Sequence, residues 1–400
     1  MNLRIAFISP SDPQDRDAQS GEIHRIFRQL QKFGEVIFLA PVAGKYYLHH
    51  KVMNRIGRIF FHKGYNFGFC VKNSKRNGRE LTKRLAKDRF DVIFAPYGCG
   101  QIAFLETSIP IIYLSDTTFH NMIDYYPSFS NLLWFSQREG NLIEQRAINK
   151  ASHIIYPSEW AANSAIRDYG APPGKVHVIP LGASLERIPT PTDPRSPEGR
   201  TCNLLFVGRD WQRKGGDLAV AALEKLAGYN LPAQLTIVGC QPPITFRENI
   251  RVFPYLNKNR EEEARLIEQL YAEADFLILP TRAECGSIAA IEASAFGVPV
   301  IATDTGGLPA NVKEGINGHL LPLTATGDDF AMVIATLFRD EKRYKKLRET
   351  SRQEYERRSD GEVWCQEVAK VIGMVASSPQ DRTEFSPAEG NGRGPGWMAQ

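Results

Sequence analysis

The sequence has no run of ~18 consecutive apolar residues, so no stretch is long enough to cross a bilayer as a helix. Its start, Met1-Asn2-Leu3-Arg4, leads straight into a strand-like run and lacks the charged and apolar regions of a secretory signal. C-x-x-C spacing is missing as well. The six cysteines, Cys70, Cys99, Cys202, Cys240, Cys285 and Cys365, are scattered, which argues against a disulfide framework or zinc site and fits a reduced, cytoplasmic setting. The loop after the first strand has no G-x-G-x-x-G, which weakens a dinucleotide reading. Nor is there a large excess of one charge: a net charge of +4 does not argue for nucleic acid, and no zinc-finger, basic-zipper or RNA-binding signature accompanies it.

What is present is a long series of short apolar runs, each followed by a helical pattern. Four hundred residues with 42% apolar content can fill two cores, as two domains of roughly 170 to 200 residues each. Leu3–Ile8, Val36–Ala40, Phe90–Ala95, Ile111–Ser115, Ile154–Tyr156 and Val176–Ile179 read as strands of a first domain, residues 1–183. Residues 184–200, rich in Pro, Thr and Arg without apolar period, read as a linker. A second domain, 201–361, restarts with a strand at Leu204–Val207. A helix over 362–376 follows, and a Gly-, Pro- and Ser-rich tail, 377–400, is expected to be disordered.

The most informative stretch runs from Thr281 to Val312. An apolar strand ending at Leu279 and Pro280 leads into a loop with Glu284, Cys285, Gly286 and Ser287. A helical pattern from Ile288 contains Glu292 and ends at Gly297, before a second strand, Val298–Ala302. Unpaired N–H groups at the helix start make an anion cradle, and Glu292 can look back toward the pocket from which Glu284 protrudes. Thr305, Gly306, Gly307 and Leu308-Pro309 suggest a second cradle at the end of the next strand. Two such helix starts at neighbouring parallel strand ends describe a crevice that fits nucleotide phosphates. Upstream, G-R-D-W-Q-R-K-G-G places Arg209 and Lys214 on a strand-to-helix loop beside Gly208, within reach of the same anion.

The pair Glu284 and Glu292, with seven residues between, followed by G-V-P-V-I-A-T-D-T-G-G, resembles the donor-site signature of retaining glycosyltransferase family 4. That resemblance implies an α/β fold of GT-B architecture: two Rossmann-like domains facing across a cleft, with the C-terminal helix crossing back to the first. It also implies that Glu284 contacts the transferred sugar, Glu292 the ribose, and Arg209 and Lys214 the diphosphate. Gly21 would approach the donor phosphates or the acceptor, and Tyr255 and Leu256 would read the base through backbone groups. Cys285 departs from the family, where an aromatic or small residue is commoner.

The implied donor-binding set is thus Gly208, Arg209, Lys214, Tyr255, Leu256, Glu284, Cys285, Gly286, Ser287, Ile288, Glu292, Gly306 and Gly307. On the acceptor side stand Gly21, Asp116 and His120, where Asp116 occupies a position at which the family often has histidine. Either Asp116 or His120 can accept a hydrogen bond from the attacking hydroxyl; helix capping by Asp116 and a surface place for His120 are the structural alternative. Arg209, Lys214, Glu284, Asp116 and His120 are the expected catalytic residues.

Two features stay open. Asp15-Arg16-Asp17 has the D-x-D pattern of a Mg²⁺ site, but a solvated acidic loop far from the phosphate crevice is favoured over it. Lys45 to Arg89 is basic and interleaved with aromatics, which suits contact with an anionic membrane or an anionic acceptor, but two helices with solvated cationic faces and buried aromatics are favoured over both. The implied reaction moves a sugar from a nucleoside-diphosphate sugar to a hydroxyl of a glycan, lipid-linked glycan or small polar acceptor, with no cofactor and no essential metal. The expected site of action is the cytoplasm or the inner face of a membrane. A nucleotide-sugar epimerase of the same fold and a non-catalytic sugar-nucleotide-binding protein are the alternatives.

Overall fold

Short apolar runs alternating with amphipathic helices bury both faces of a strand, which is the condition for a parallel sheet covered on two sides. The computed structural model describes residues 2–39, 52, 54–55, 62–188, 199–245 and 247–377, and it contains two such sheets. The first comprises β1 (Leu3–Phe7), β2 (Gly34–Phe38), β3 (Val92–Pro96), β4 (Ile111–Leu114), β5 (His153–Tyr156) and β6 (Val176–Val178) in the order β2-β1-β3-β4-β5-β6. The second comprises β7 (Cys202–Val207), β8 (Ala233–Val238), β9 (Ile250–Phe253), β10 (Phe276–Leu279), β11 (Val300–Thr303) and β12 (Gly318–Leu321) in the order β12-β11-β10-β7-β8-β9. All their pairings are parallel.

In each sheet the chain starts in the middle, builds one side, then returns to build the other. The reversals fall between β1 and β3 and between β7 and β10. Loops leaving such a strand pair diverge and open a crevice at the carboxyl edge of the sheet.

The longer helices are α1 (Glu22–Leu30), α2 (Val71–Leu85), α3 (Trp134–Lys150), α4 (Glu159–Tyr169), α5 (Gly216–Leu226), α6 (Glu261–Glu273), α7 (Ile288–Ala295), α8 (Gly327–Arg339), α9 (Glu341–Arg358) and α10 (Gly361–Ser377). The sequence pattern suggests a start for α3 at Gly140, but the helix begins six residues earlier, at Trp134. The glycine answers a packing need instead: a Cβ there would lie 2.1 Å from the Phe119 ring. Of the basic stretch 45–89, α2 is described, whereas 45–51, 53 and 56–61 lie outside the described residues, as do 189–198 of the linker and 378–400 of the tail.

The last helix returns to the first domain. Trp364, Val368, Val371 and Ile372 of α10 share one buried cluster with Phe7, Phe94, Ile23 and Phe27. The Arg25 guanidinium lies 4.7 Å from the Trp364 ring centroid. Arg25 also donates twice to Glu22, at 2.9 and 3.0 Å, and the Ser184 hydroxyl donates to the same carboxylate at 2.9 Å. One buried ion pair therefore ties together α1, the segment between the domains and α10. Among the described residues no helix is long and apolar enough to cross a membrane.

A second buried acid, Glu144 on α3, accepts a hydrogen bond from the Tyr113 hydroxyl at 3.1 Å. Burial pushes its pKa from 4.5 up to about 8, against the opposing effect of that hydrogen bond. The folded chain thus holds this proton more tightly than the unfolded chain does, and stability falls as pH rises from about 4.5 to about 8. Glu144→Gln is expected to flatten that decline, measured as urea midpoints between pH 5 and 9.

Candidate active site

Asp210 accepts a hydrogen bond from the Arg213 backbone N–H at 3.0 Å and so caps the single helical turn Trp211–Lys214 after β7. The turn runs back over the end of β10, so Lys214 donates to the Glu284 carboxylate and Arg213 Nη1 stands 3.7 Å from the same oxygen. Arg213 also donates to the Ala283 carbonyl at 2.8 Å. Glu284 is buried, with two cations beside it.

Glu292 lies one turn into α7, also buried. Its carboxylate accepts from Lys258 at 2.7 Å and from the Tyr271 hydroxyl at 2.9 Å. The Ser287 hydroxyl caps α7 by accepting from the Ala290 N–H at 3.3 Å, and Ile288 faces the core cluster shared with the first domain.

The first domain reaches directly onto these loops. The N–H of Glu284 donates to the Tyr125 hydroxyl at 2.8 Å, and that of Cys285 to the Tyr126 hydroxyl at 3.1 Å. The Tyr125 hydroxyl also lies 2.9 Å from the Thr305 hydroxyl, and the Arg213 guanidinium lies 4.9 Å from the Tyr126 ring centroid. The cradle expected at 284–287 is thus taken up by tyrosines. The second expected cradle is changed too: the Gly307 N–H donates to the Glu284 carbonyl at 3.0 Å, and the helix it opens, Leu308–Asn311, is a single turn. A Cβ on Gly307 would lie 1.8 Å from the Cys285 carbonyl oxygen, so the residue is glycine because two strand-end loops touch there. Gly286 faces Pro157 of the first domain, and a Cβ on Gly306 would lie 2.2 Å from the Tyr125 hydroxyl.

The acceptor-side residues separate. Asp116, at the end of β4, is half-buried in the cleft, where burial and the charge of Glu284 push its pKa up to about 6. His120 turns away: it is exposed, 3.9 Å from Asp168 near the far end of α4, because Thr118 caps the turn Phe119–Met122 and directs it along α4. Gly21 stands at the start of α1, against Ser184.

Arg209 is exposed on the loop beyond Gly208, 5.6 Å from the Tyr255 ring centroid. Its guanidinium pairs with Asp17, which also accepts from the Tyr255 hydroxyl at 2.9 Å. The Asp15-Arg16-Asp17 loop therefore lies beside Arg209, at the crevice expected to take phosphates, and not far from it. Leu256 packs against the core of the second domain.

Lys258, Tyr271 and Arg213 escape a sequence reading. Lys258 sits in a polar run that looks like ordinary loop, 34 residues from its partner. Arg213 resembles any surface base, and Tyr271 falls on the inward face of α6 like its apolar neighbours. Between the domains is a cavity of about 420 Å³, bordered by Gly21, His24, Arg25 and Arg28 of the first, Ser184 and Glu186 of the connecting segment, and Lys258, Ala264, Ile267 and Glu268 of the second. It adjoins Glu292 through Lys258.

Two facing Rossmann-like domains with a helix returning to the first define the GT-B class. Solved structures share this fold: sucrose-phosphate synthase from Thermosynechococcus elongatus, with a TM-score of 0.66 at 16% identity over 94% of this chain and 99% of that one, and a glycosyltransferase from Rickettsia africae, with 0.62 at 13% over 94% and 99%. Anabaena Alr3699/HepE in complex with UDP-glucose gives 0.63 at 16% identity, over 93% of this chain and all of that one. Residues 23–187 match the family model described as Glycosyltransferase Family 4, and residues 201–340 match Glycosyl transferases group 1. The chain belongs to this glycosyltransferase family. It is 28% identical over 202 residues to the D-inositol 3-phosphate glycosyltransferase of Mycobacterium sp. strain JLS, covering 46% of this chain and 44% of that protein. The Corynebacterium diphtheriae protein of the same name is 26% identical over 256 residues, covering 58% and 59%. The chain spans about half the length of these relatives.

Removing Lys258 leaves a buried carboxylate without its cation. Lys258→Met is expected to cost about 3 kcal/mol at neutral pH. Lys258→Met combined with Glu292→Gln should recover much of that loss, measured by urea denaturation.

Proposed function

We propose that this protein transfers a sugar from a nucleoside-diphosphate sugar to an acceptor hydroxyl, with the donor held by the second domain. The observation that carries the reading is the convergence of Arg213 and Lys214 on the buried Glu284 at the strand reversal of the second sheet. As the bond between sugar and diphosphate breaks, negative charge grows on the leaving oxygen and positive character on the anomeric carbon. A guanidinium or ammonium 4 Å from that oxygen supplies about 4 kcal/mol at an effective dielectric near 20, before desolvation is counted.

In this reading Lys214 and Arg209 hold the diphosphate, and Glu284, released from Lys214, turns to the sugar hydroxyls. Glu292 takes the ribose, and backbone groups at Tyr255 and Leu256 read the base. Retention of configuration comes with the family; the acceptor proton then passes to a phosphate oxygen on the same face. Asp116 faces Glu284 across the cleft and receives the acceptor hydroxyl, whereas His120 is too far along α4 for that part. The cations stand where a metal would neutralise charge, so turnover is expected to survive EDTA.

The acceptor is proposed to be a glycan or a lipid-linked glycan. Lys72, Lys75, Arg79 and Lys83 recur on the exposed face of α2, and Trp134 is 69% exposed at the start of the neighbouring α3. That face suits an anionic membrane and would bring the cleft to a lipid-linked acceptor at the cytoplasmic side. Reversing Lys75 and Arg79 to glutamate is expected to cut partitioning onto vesicles containing phosphatidylglycerol by more than tenfold, with no change on phosphatidylcholine alone, read by co-sedimentation.

The test of the reaction is release of nucleoside diphosphate from sugar nucleotides by the purified protein, after a thermal-shift screen to choose the base. Lys214→Ala and Glu292→Ala are each expected to lower turnover at least a hundredfold with melting transitions still cooperative; near-normal turnover in both would remove the assignment. Conversion of donor to its epimer without acceptor would mark an epimerase instead. Asp116→Asn is expected to remove the rise in turnover with pH centred near 6 that ionisation of Asp116 would produce.

A further inference from the structure

We infer that Asp17 is a built-in competitor of the donor's diphosphate: its carboxylate pairs with Arg209 and must be displaced for the diphosphate to reach that guanidinium. This rests on the reading of Arg209 as a diphosphate ligand and adds to it a residue that sets donor affinity.

Asp17 belongs to the loop between β1 and α1, yet both its partners are in the second domain: the Arg209 guanidinium and the Tyr255 hydroxyl meet on the same carboxylate oxygen, the latter at 2.9 Å. Its neighbours are held in the same direction. Asn259 donates to Asp15 at 2.8 Å and accepts from the Arg16 N–H at 2.9 Å. Lys258 donates to the Ser20 carbonyl at 3.2 Å while it pairs with Glu292. Between these anchors the backbone passes through three consecutive left-handed residues, Gln19 (φ 49°), Ser20 (φ 58°) and Gly21 (φ 91°). Two of them carry side chains that disfavour this region, a conformation that persists only where surrounding contacts hold it. The segment is a strap stretched from the first domain onto the anion-binding loop of the second.

A carboxylate and a phosphate offer a guanidinium the same pair of acceptor oxygens, so the two compete for one fork. They also repel each other. Donor entry therefore exchanges one anion for another at Arg209, and Asp17 leaves with its strap. The Asp17 carboxylate is shielded, but Arg209 is 62% exposed, so the pair is a weak one and is expected to tune affinity severalfold without blocking the site.

Binding of inorganic pyrophosphate to the full chain, followed by calorimetry, tests this without knowledge of the base. Asp17→Asn should tighten pyrophosphate about threefold, Arg209→Gln should weaken it, and Asp17→Asn should have a clearly smaller effect in the Arg209→Gln background, where only the repulsion between the two anions is left to relieve. Should Asp17→Asn fail to fold, Asn259→Ala, which frees the strap and spares Arg209, should tighten binding in the same way. Unchanged or weaker binding in the strap variants, with Arg209→Gln still impaired, overturns the competitor and leaves the diphosphate reading standing. Normal binding in Arg209→Gln overturns that reading, and the competitor with it.

Discussion

A carboxylate taken out of water keeps its charge only with a cation or hydrogen-bond donors beside it, and the second domain buries two such groups at one edge of its sheet. Glu284 has Lys214 and Arg213; Glu292 has Lys258 and Tyr271. Desolvation costs several kcal/mol per ion, so these partners decide the course of the loops that carry them. The loop after β7 must fold back over β10, and the loop after β9 must cross to α7. The reversal of strand order between β7 and β10 permits the first of these, and the tyrosine on α6 supports the second. Chemistry and topology are thus settled by the same pairs.

The two sides of the cleft are unequally filled. On the side of Glu284 the first domain is already seated: Tyr125 and Tyr126 satisfy the N–H groups of Glu284 and Cys285, and Pro157 and Ser158 approach Gly286 and Gly307. On the side of Glu292 a cavity of about 420 Å³ remains. On the proposed reading, in which a sugar meets Glu284, the tyrosines give up these hydrogen bonds first. Because each such bond contributes only about 1 kcal/mol net, that exchange is accessible.

Much of this was legible from the residues alone. Apolar runs with period-matched helices between them give the six strands of the first sheet nearly in place, and the ordered set Arg209, Lys214, Glu284 and Glu292 marks the crevice. What sequence spacing does not carry is pairing across the cleft. Asp17 and Arg209 are separated by 192 positions, and Tyr125 and Glu284 by 159. Nothing local to either partner signals the other. The same reason hides Lys258 in a polar turn and leaves His120 near Asp116 in the chain while its helix turn carries it off in space. Gly140 misleads for a different cause: a glycine forced by a facing aromatic ring looks like a helix boundary.

The return of α10 bears on how the molecule comes into being. Trp364 is buried among Phe7, Phe94 and Arg25, all made long before it emerges from the ribosome. At about 5–20 residues per second, the wait from residue 25 to residue 364 is roughly 20 to 70 s. During that time the nascent amino-terminal half has an open apolar seam where α10 will lie. The core of the first domain therefore closes only after the whole second domain has been made.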